Sequence, residues 1–227
     1  MVMSKTQAVM EKQEGAPSMI KILIVDDHPI VRRGLKQVIV EEHDMEVVAE
    51  AENAQEAFAF VRKSNCDVVI LDISMPGMSG LDVLRQLRYE YPKLPVLILS
   101  VHSEEQYALR VIKAGASGYL TKDSAPDALV KAIRKVASGG KYVSPYLAER
   151  LVCDLEASEK PLHEKLTVRE FQILCMIASG KPVKEIAGEL CLSAKTVSTY
   201  RIRTLQKMQM KSNAELVGYA VKNKLIE

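Results

Sequence analysis

The chain has 227 residues, of which 48% are apolar, and a formal net charge of +2, which is enough for one large or two modest domains with a real core. Its apolar runs fall far short of the ~20 residues of a membrane span, and its first 18 residues are too polar for a signal peptide, so we expect a cytoplasmic protein. The four cysteines and four histidines are scattered, which argues against a disulfide framework, a zinc site or a histidine-based metalloenzyme.

Residues 20–138 alternate between short apolar runs and helical patterns. The runs, which predict strands, cover 20–25, 46–51, 67–71, 95–99 and 117–120. Apolar residues at helical spacing recur between and after them. Such alternation predicts the α/β class, with a (βα)5 doubly wound parallel sheet covered by helices on both faces. Gly115 falls where the fourth helix should end, at a position suited to a left-handed cap.

Polar side chains follow the predicted strands at their carboxyl ends. They are Asp26, Asp27, Asp72, Ser100 and Lys122. Because open α/β sheets bind ligands at this edge, we expect the five side chains to converge in one pocket. Any one of them alone is also explained as a strand-end residue that meets water. The occurrence of all five at the right ends favours a binding site.

These residue types suit phosphoryl transfer to a carboxylate. Mg²⁺ prefers oxygen ligands, which Asp27 and Asp72 can supply directly and Asp26 directly or through water. Asp72 stands alone on the central strand and is the better candidate for a nucleophile that forms an acyl phosphate. The metal and Lys122 would neutralise the phosphoryl oxygens. Ser100 can hydrogen-bond a phosphoryl oxygen, which would leave room for Tyr119 to turn inward.

The segments VDDHP, LDISMPGMSG, LSVHS and SGYLTKD resemble the motifs of two-component receiver domains, which are flavodoxin-like, over residues 19–140. The resemblance implies that a histidine kinase phosphorylates Asp72. It also implies that Mg²⁺ is held by Asp27, Asp72 and the backbone carbonyl of Ser74. Ser100 and Tyr119 would be the switch pair of the family. Lys122 would be its invariant-type lysine. Many receivers have Lys-Pro where this chain has Lys-Asp, a pair familiar in the NarL/FixJ branch.

The pattern is interrupted at residues 139–165. Two glycines end the last helix of the first domain, Pro145 starts a predicted short helix at 146–154, and the charged stretch after it contains Pro161. This composition predicts a hinge. The expected organisation is therefore a disordered tail at 1–18, a receiver at 19–140, a linker at 141–163 and a second domain at 164–227.

The second domain is predicted to be small and all-α. Thr167 and Glu170 have capping-box spacing before the first of four helices. A short helix at 183–190, a tight turn at 191–193 and a longer helix to Met208 predict a helix-turn-helix. Residues 164–227 contain 11 Lys and Arg against 6 Asp and Glu, a net of +5 that leaves −3 for the rest of the chain. A basic second part joined to an acidic site suits a nucleic-acid binder.

One face of the longer helix carries donors for bases and phosphates. Candidate base-facing residues are Ser198, Thr199 and Ile202, the last of which can contact a thymine methyl group. Candidate phosphate contacts are Lys184, Lys195, Arg201, Arg203 and Lys207. On charge alone, the same face would also suit a solvated helix in a small bundle.

The string LTVREFQILCMIASGKPVKEIAGELCLSAKTVSTYRIRTLQKM resembles the LuxR-type helix-turn-helix of NarL/FixJ regulators. The resemblance implies that residues 195–207 enter the major groove and that the last helix pairs two copies on DNA. Ser198 and Ile202 stand where relatives often carry lysine or another polar residue, so the base sequence that is read stays open.

Both resemblances together identify a NarL/FixJ-type response regulator. Its expected partners are a sensor histidine kinase and double-stranded DNA, its cofactor is Mg²⁺, and it should be a homodimer when phosphorylated or on DNA. It should not be an enzyme beyond its own phosphorylation and dephosphorylation. One alternative is a phosphatase or phosphotransferase, although the chain has no separate substrate domain. The other is a DNA binder that ignores phosphorylation, which the full set of pocket residues argues against.

Overall fold

The computed structural model describes residues 19–63, 65–156 and 161–226, so the predicted disordered tail at 1–18 lies outside the described residues. The first part of the chain alternates strands and helices. The strands are β1 (Ile20–Val25), β2 (Met45–Ala51), β3 (Val68–Asp72), β4 (Val96–Ser100) and β5 (Gly118–Thr121). The helices are α1 (Pro29–Val40), α2 (Ala54–Lys63), α3 (Gly80–Glu90), α4 (Glu104–Lys113) and α5 (Pro126–Ala137). All strand pairs are parallel, in the order β2-β1-β3-β4-β5, which confirms the predicted (βα)5 sheet.

The sheet is covered on both faces because its central strands are apolar throughout. Successive side chains of a strand point to opposite faces. Val69 and Leu71 of β3 pack in the cluster that includes α2, α3 and α4. Val68 and Ile70 pack in the cluster on the other face, with α1 and α5. Every residue of β3 and β4 is buried, as expected for strands enclosed between two helical layers.

The carboxyl ends of the central strands lie one residue further along than the apolar runs predict. Asp72 pairs in register with Leu99, and Ser100 pairs with Thr121. Pairing with a neighbouring strand therefore overrides the low β-propensity of an acidic residue. As a consequence, Asp72 and Ser100 are fixed by the sheet ladder rather than carried on loops.

The second part of the chain is helical. It contains α6 (Pro145–Glu156), a 3-10 helix (Leu162–Lys165), α7 (Val168–Ala178), α8 (Val183–Glu189), α9 (Ala194–Met208) and α10 (Asn213–Lys222). The four helices from α7 onward confirm the predicted all-α domain. A tight turn joins α8 to α9, with Cys191 in the left-handed region at φ 49°. The sequence pattern missed the 3-10 helix, which is too short to show periodicity.

Helix α6 lies inside the predicted linker and is longer than the helix predicted there. It is anchored to the receiver because Leu147 is buried in the core and the hydroxyl of Ser144 donates to Glu104 Oε1 of α4 at 2.6 Å. The first part of the linker is therefore attached to α4 and does not behave as a free tether.

Helix α7 is the centre of the second domain, and its start has the predicted capping box. The Glu170 N–H donates to Thr167 Oγ1, and Glu170 Oε2 accepts from the Thr167 N–H at 2.8 Å. The core face of α9 includes a buried polar residue. Thr204 is fully buried beside α7, whereas Leu205 is only half-buried. Steps of seven and four residues from Val197 lead to Thr204 and Met208, which places all three on one face.

We expect Thr167→Ala to lower the free energy of unfolding by about 1 kcal/mol, because the first turn of α7 loses an acceptor for its amide. Urea denaturation of the full chain followed by circular dichroism measures this. Thr199→Ala is the matched control, since the Thr199 hydroxyl bonds only the Lys195 carbonyl of its own helix among the described contacts. An equal loss in the two variants would show that the cap contributes nothing.

Candidate functional site

A lysine holds two buried carboxylates together at the carboxyl edge of the sheet. The ends of β1, β3 and β5 bring Asp26, Asp72 and Lys122 to this edge. Lys122 Nζ lies 2.7 Å from Asp26 Oδ2 and 2.9 Å from Asp72 Oδ2. Both carboxylates are almost fully buried, at 1% exposure for each residue. A buried carboxylate is stable only when it is paired, so Lys122 is needed for both.

Burial sets the electrostatics of Asp72. It raises the pKa of the Asp72 carboxyl above its ordinary value, although the Lys122 ammonium and the Ser74 N–H act in the opposite direction. The Ser74 N–H donates to Asp72 Oδ1 at 3.1 Å. Burial lowers the pKa of Lys122, but hydrogen bonds to Asp26 and Asp72 outweigh it and raise that pKa. The result is a charged lysine beside a carboxylate that desolvation makes more basic.

The pocket also has the donor set of a divalent metal site. One ligand atom from each of Asp26, Asp27, His28 and Asp72 lies within 4.8 Å of the others. Among the described residues, Asp27 Oδ1 has only a contact with the exposed His28 Nδ1 at 3.0 Å, and Asp26 Oδ2 has only its ion contact with Lys122. A bound cation would relieve both atoms, so the residues present fit Mg²⁺, which prefers carboxylate oxygens. No motif in the sequence singled out His28 as a member of this group, although it directly follows Asp27.

The predicted switch pair lies next to this pocket. Ser100 is fully buried, and its Oγ accepts from the His102 N–H at 3.2 Å. Tyr119 already lies inside the domain, although the sequence suggested that it turns inward only after Ser100 moves. Its hydroxyl donates to the His102 carbonyl at 2.7 Å. Burial raises the pKa of Tyr119 well above its usual range, so the hydroxyl stays protonated as a donor.

Three rings in successive contact connect this pocket to the helical domain. The imidazole of His102 lies with Nε2 3.4 Å from Ser74 Oγ and stacks on Tyr107 at 4.2 Å between ring centroids. Tyr107 in turn meets Phe171 of α7 edge-on at 5.6 Å. We call His102, Tyr107 and Phe171 the aromatic column. Neighbouring rings of this geometry attract one another, so the column forms a continuous contact from the pocket to α7.

A set of polar contacts, which we call the domain seam, closes around this column. The Arg110 guanidinium of α4 lies 3.8 Å from the centroid of the Phe171 ring. It donates to the backbone carbonyls of His163 at 2.8 Å and Leu166 at 3.1 Å. On the other side, Arg169 donates to the Gly77 carbonyl at 3.2 Å. The seam therefore joins the helical domain to α4 and to the loop that follows β3.

The seam contains a half-buried histidine in its neutral form. His163 Nδ1 lies 2.9 Å from the Tyr219 hydroxyl. Burial lowers the pKa of His163 to about 4, and the positive charges of Arg110 and Arg150 add to the effect. Separation of the two domains would return the imidazole towards an ordinary pKa near 6.5. Because the separated state then binds the proton more tightly, the seam is fully stable above about pH 6.5 and weakens as the pH falls towards 4.

We therefore expect the two domains to separate more readily at pH 5 than at pH 7.5, by about 1 kcal/mol after allowance for the partial exposure of His163. Small-angle scattering should report a larger radius of gyration at the lower pH. His163→Gln, which cannot titrate, should remove most of this pH dependence. A radius that changes equally with pH in both proteins would contradict the assignment to His163.

The predicted DNA-facing residues lie largely on one exposed side of α8 and α9. Exposed residues of this set are Lys184, Lys195, Thr199, Ile202, Arg203 and Lys207, whereas Ser198 and Arg201 are half-buried. Two of the predicted phosphate contacts have partners within the domain. Arg201 Nε donates to Asn213 Oδ1 at 2.6 Å, and Lys207 Nζ lies 2.7 Å from the buried Glu170 carboxylate. Ile202 stands out because 51% of its surface faces solvent.

Helix α10 has one buried and one open side. Leu216 and Ala220 are fully buried and α10 contacts α7, whereas Val221 is 61% exposed.

None of the helices in the described ranges is long and apolar enough to cross a membrane.

Comparison with known proteins agrees with both halves of the structure. The family described as "Response regulator receiver domain" matches residues 22–134, and the family "Bacterial regulatory proteins, luxR family" matches residues 164–220. Response regulator GacA of Pseudomonas aeruginosa is 37% identical over 213 residues, which are 92% of this chain and 99% of that protein. Response regulator UvrY of Escherichia coli K12 is 37% identical over 210 residues, which are 91% and 96% of the two chains.

Solved structures give the same result. RcsB of Salmonella enterica serovar Typhimurium, bound to promoter rprA in the presence of the phosphomimetic BeF3⁻, aligns with a TM-score of 0.63 at 25% identity, over 88% of this chain and 98% of that chain. Response regulator ChrA of a heme-sensing two-component system aligns with a TM-score of 0.51 at 31% identity, over 92% of this chain and 100% of that one. The chain therefore belongs to the response regulators that join a receiver domain to a LuxR-type DNA-binding domain, and it is a phosphorylation-controlled regulator of transcription rather than an enzyme.

Proposed function

We propose that Asp72 is the phosphoacceptor and that a sensor histidine kinase is its donor. The observation that carries the proposal is the buried Asp72 carboxylate, which is fixed at the end of β3 and lies 2.9 Å from the Lys122 ammonium. In the transfer, an Asp72 oxygen forms a bond to phosphorus while the bond between phosphorus and the donor imidazole breaks. The released imidazole takes up a proton from solvent. Lys122 stabilises the charge on the phosphoryl oxygens.

Mg²⁺ would be held by Asp26, Asp27, Asp72 and the backbone carbonyl of Ser74. The cluster of carboxylate oxygens within 4.8 Å of one another supports this assignment, since among the described residues Asp27 Oδ1 has only the exposed His28 Nδ1 beside it, at 3.0 Å. When bound, the metal supplies positive charge that offsets the negative charge of the incoming phosphoryl group. Asp26 and Asp27 would hold the metal, and Ser100, at the end of β4, could donate to a phosphoryl oxygen.

The exposed side of α9 would read DNA in the major groove. Thr199 and Ile202 face the bases, with Ser198 at the margin, and Lys184, Lys195 and Arg203 contact phosphates. Arg201 and Lys207 would contact phosphates only if Arg201 releases Asn213 and Lys207 releases Glu170. RcsB, solved on promoter DNA, supports this use of the fold. Two copies would pair through α10, where Val221 offers an exposed apolar contact.

Phosphorylation would act on the position of the helical domain. A phosphoryl group on Asp72 would draw Ser100 towards it, which disturbs His102 and, through the aromatic column, Phe171. The candidate base-facing residues Thr199 and Ile202 are already exposed while the seam is closed. This favours control through the placement and pairing of two DNA-binding domains over control through the uncovering of α9.

Intact mass after incubation with Mg²⁺ and acetyl phosphate or phosphoramidate tests the chemistry. We expect one added phosphoryl group on the wild type, and none on Asp72→Asn or without Mg²⁺. Asp127→Asn, at an exposed acidic position at the start of α5, is the control and should be modified normally. Modification of Asp72→Asn to the same extent would refute the assignment.

DNA binding of the same proteins tests the coupling. Phosphorylated wild type should bind a promoter fragment more tightly and as a pair, and Asp72→Asn should not respond to the phosphoryl donor. Equal binding by Asp72→Asn and the phosphorylated protein would indicate a regulator that ignores phosphorylation. Arg203→Ala should weaken binding on all sequences and reduce the salt dependence by about one phosphate contact.

A further inference from the structure

A cavity of about 670 Å³ lies between the two domains, beside the domain seam. One wall is α4, whose Glu105, Leu109 and Lys113 lie on the same side of the helix because they are spaced four residues apart. A second wall is α6, with Tyr146 and Arg150 at the same spacing. The 3-10 helix, the start of α7 and the end of α10 close the rest. The volume is that of a pocket for a small organic molecule.

Positive charge dominates the lining of this cavity. Among the described residues that line it, five are basic and two are acidic, which gives a net charge of +3 while His163 is neutral. The acidic residues are Glu105 and Glu164, and the basic ones are Arg85, Arg110, Lys113, Arg150 and Lys224. The basic side chains come from α3, α4, α6 and the turn after α10. The charge is therefore concentrated at one place only when the two domains are closed on each other.

The acidic residues of the cavity compensate this charge only in part. Glu164 lies 3.4 Å from the Lys113 ammonium. The half-buried Arg110 guanidinium donates to two backbone carbonyls and forms no ion pair with a residue in the described ranges. Burial lowers the pKa of Arg110, although the charge of Glu164 acts in the opposite direction. An anion in the cavity would stabilise this charged group.

We propose that the cavity binds a small organic anion with two or more carboxylate or phosphate groups, and that this anion holds the two domains together. Guanidinium groups bind both kinds of anion through paired hydrogen bonds, and Arg85 and Arg150 line the cavity from different helices. Leu109 and Tyr146, neither of them fully buried, would contact the carbon body of the ligand. The site is separate from both the acidic pocket and the DNA-facing side of α9.

The position of the cavity predicts what the ligand does. Arg85 and Lys113 belong to the receiver, whereas Lys224 belongs to the helical domain. An anion that contacts both sets binds the closed arrangement more tightly than the open one, and it shifts the equilibrium towards closure. The ligand would therefore act on the domain seam without touching the aromatic column.

The test measures binding of citrate, ADP and inorganic phosphate to the full chain by isothermal titration calorimetry. Citrate and ADP distinguish a polycarboxylate from a phosphorylated ligand. Mg²⁺ is left out, because both compounds chelate it and could then be carried to the acidic pocket. We expect citrate or ADP to bind with a Kd below about 1 mM, and inorganic phosphate, which lacks an organic body, to bind at least about tenfold more weakly.

Variants locate the bound anion. Arg150→Ala, at an exposed position of α6, should weaken binding by about tenfold, and Arg150→Lys should restore most of it. Arg33→Ala, at an exposed arginine of α1, is the matched control and should change nothing. Arg203→Ala, on the DNA-facing side of α9, should also leave the affinity unchanged.

Hydrogen exchange tests the effect on the seam. The bound anion should slow amide exchange in residues 104–113 and 162–166 and leave α1 unchanged. The proposal would be overturned by no binding of citrate or ADP, by equal affinity for inorganic phosphate, or by an affinity that Arg150→Ala does not change. Loss of binding in Arg203→Ala would place the anion on α9 instead, and unchanged exchange in the seam would refute the stabilisation of the closed arrangement.

Discussion

Gly80→Ala is expected to destabilise the protein by about 3 kcal/mol or more and to abolish phosphorylation, because the added methyl group would collide with the backbone of the phosphoacceptor. A Cβ at Gly80 would lie 1.8 Å from the carbonyl oxygen of Asp72 and 2.8 Å from Cα of Ile73. No side-chain rotation relieves a contact with backbone atoms. The Gly80 N–H also donates to the Ile73 carbonyl at 3.1 Å, so α3 cannot move away without losing this bond.

The matched control is Gly34→Ala in α1, where a Cβ would meet nothing within 4 Å. Alanine in a helix interior is more favourable than glycine, so this variant should gain about 0.5–1 kcal/mol. Urea denaturation measures both variants, and intact mass after acetyl phosphate treatment measures the function of any folded Gly80→Ala protein. A Gly80→Ala protein with wild-type stability and normal phosphorylation would mean that the loop after β3 adapts far more than the structure indicates.

Arg110→Ala is expected to open the domain seam and to shift the equilibrium between Asp72 and its acyl phosphate about five- to tenfold towards the phosphorylated form. The variant removes two hydrogen bonds from a charged donor and one cation–π contact, and each is worth about 1 kcal/mol or more when partly buried. If phosphorylation weakens the seam, then by thermodynamic linkage the closed seam must disfavour phosphorylation. Loss of the seam should therefore favour the phosphorylated form.

The measurement is the fraction of acyl phosphate at the plateau of the reaction, by intact mass, together with the radius of gyration from small-angle scattering. Arg62→Ala serves as the control, because Arg62 is an exposed arginine on α2, away from α4. A variant that opens the seam but reaches only the wild-type extent of phosphorylation would show that the helical domain does not restrain the receiver.

The sequence was sufficient to predict the fold and to predict which residues come together in most of the pocket. Short apolar runs separated by helical periodicity predict parallel strands, and parallel strands bring their carboxyl ends to one edge, which is how Asp26, Asp72 and Lys122 were found together. Capping chemistry is equally local, and the bonds between Thr167 and Glu170 are the predicted ones. These features depend on residues close in sequence or on a general rule of sheet topology.

The features that were missed depend on contacts between distant segments. Arg110 and His163 are 53 positions apart, and the periodicity of neither segment predicts their contact. Tyr107 lies in α4, but its ring partner Phe171 belongs to another domain. The anchoring of α6 on α4 was hidden for the same reason. His28 was overlooked because a single exposed histidine after two aspartates is more often a loop residue than a ligand.

The aromatic column also determines how the chain unfolds. Tyr107 and Phe171 belong to one continuous apolar core that includes Leu147 of α6, so neither domain can melt without exposing apolar surface of the other. The unphosphorylated chain should then behave as a single cooperative unit in calorimetry. A state in which the column is broken should unfold in two separate steps, the receiver and the helical domain each on its own. The number of melting transitions would thereby report the signalling state without any DNA present.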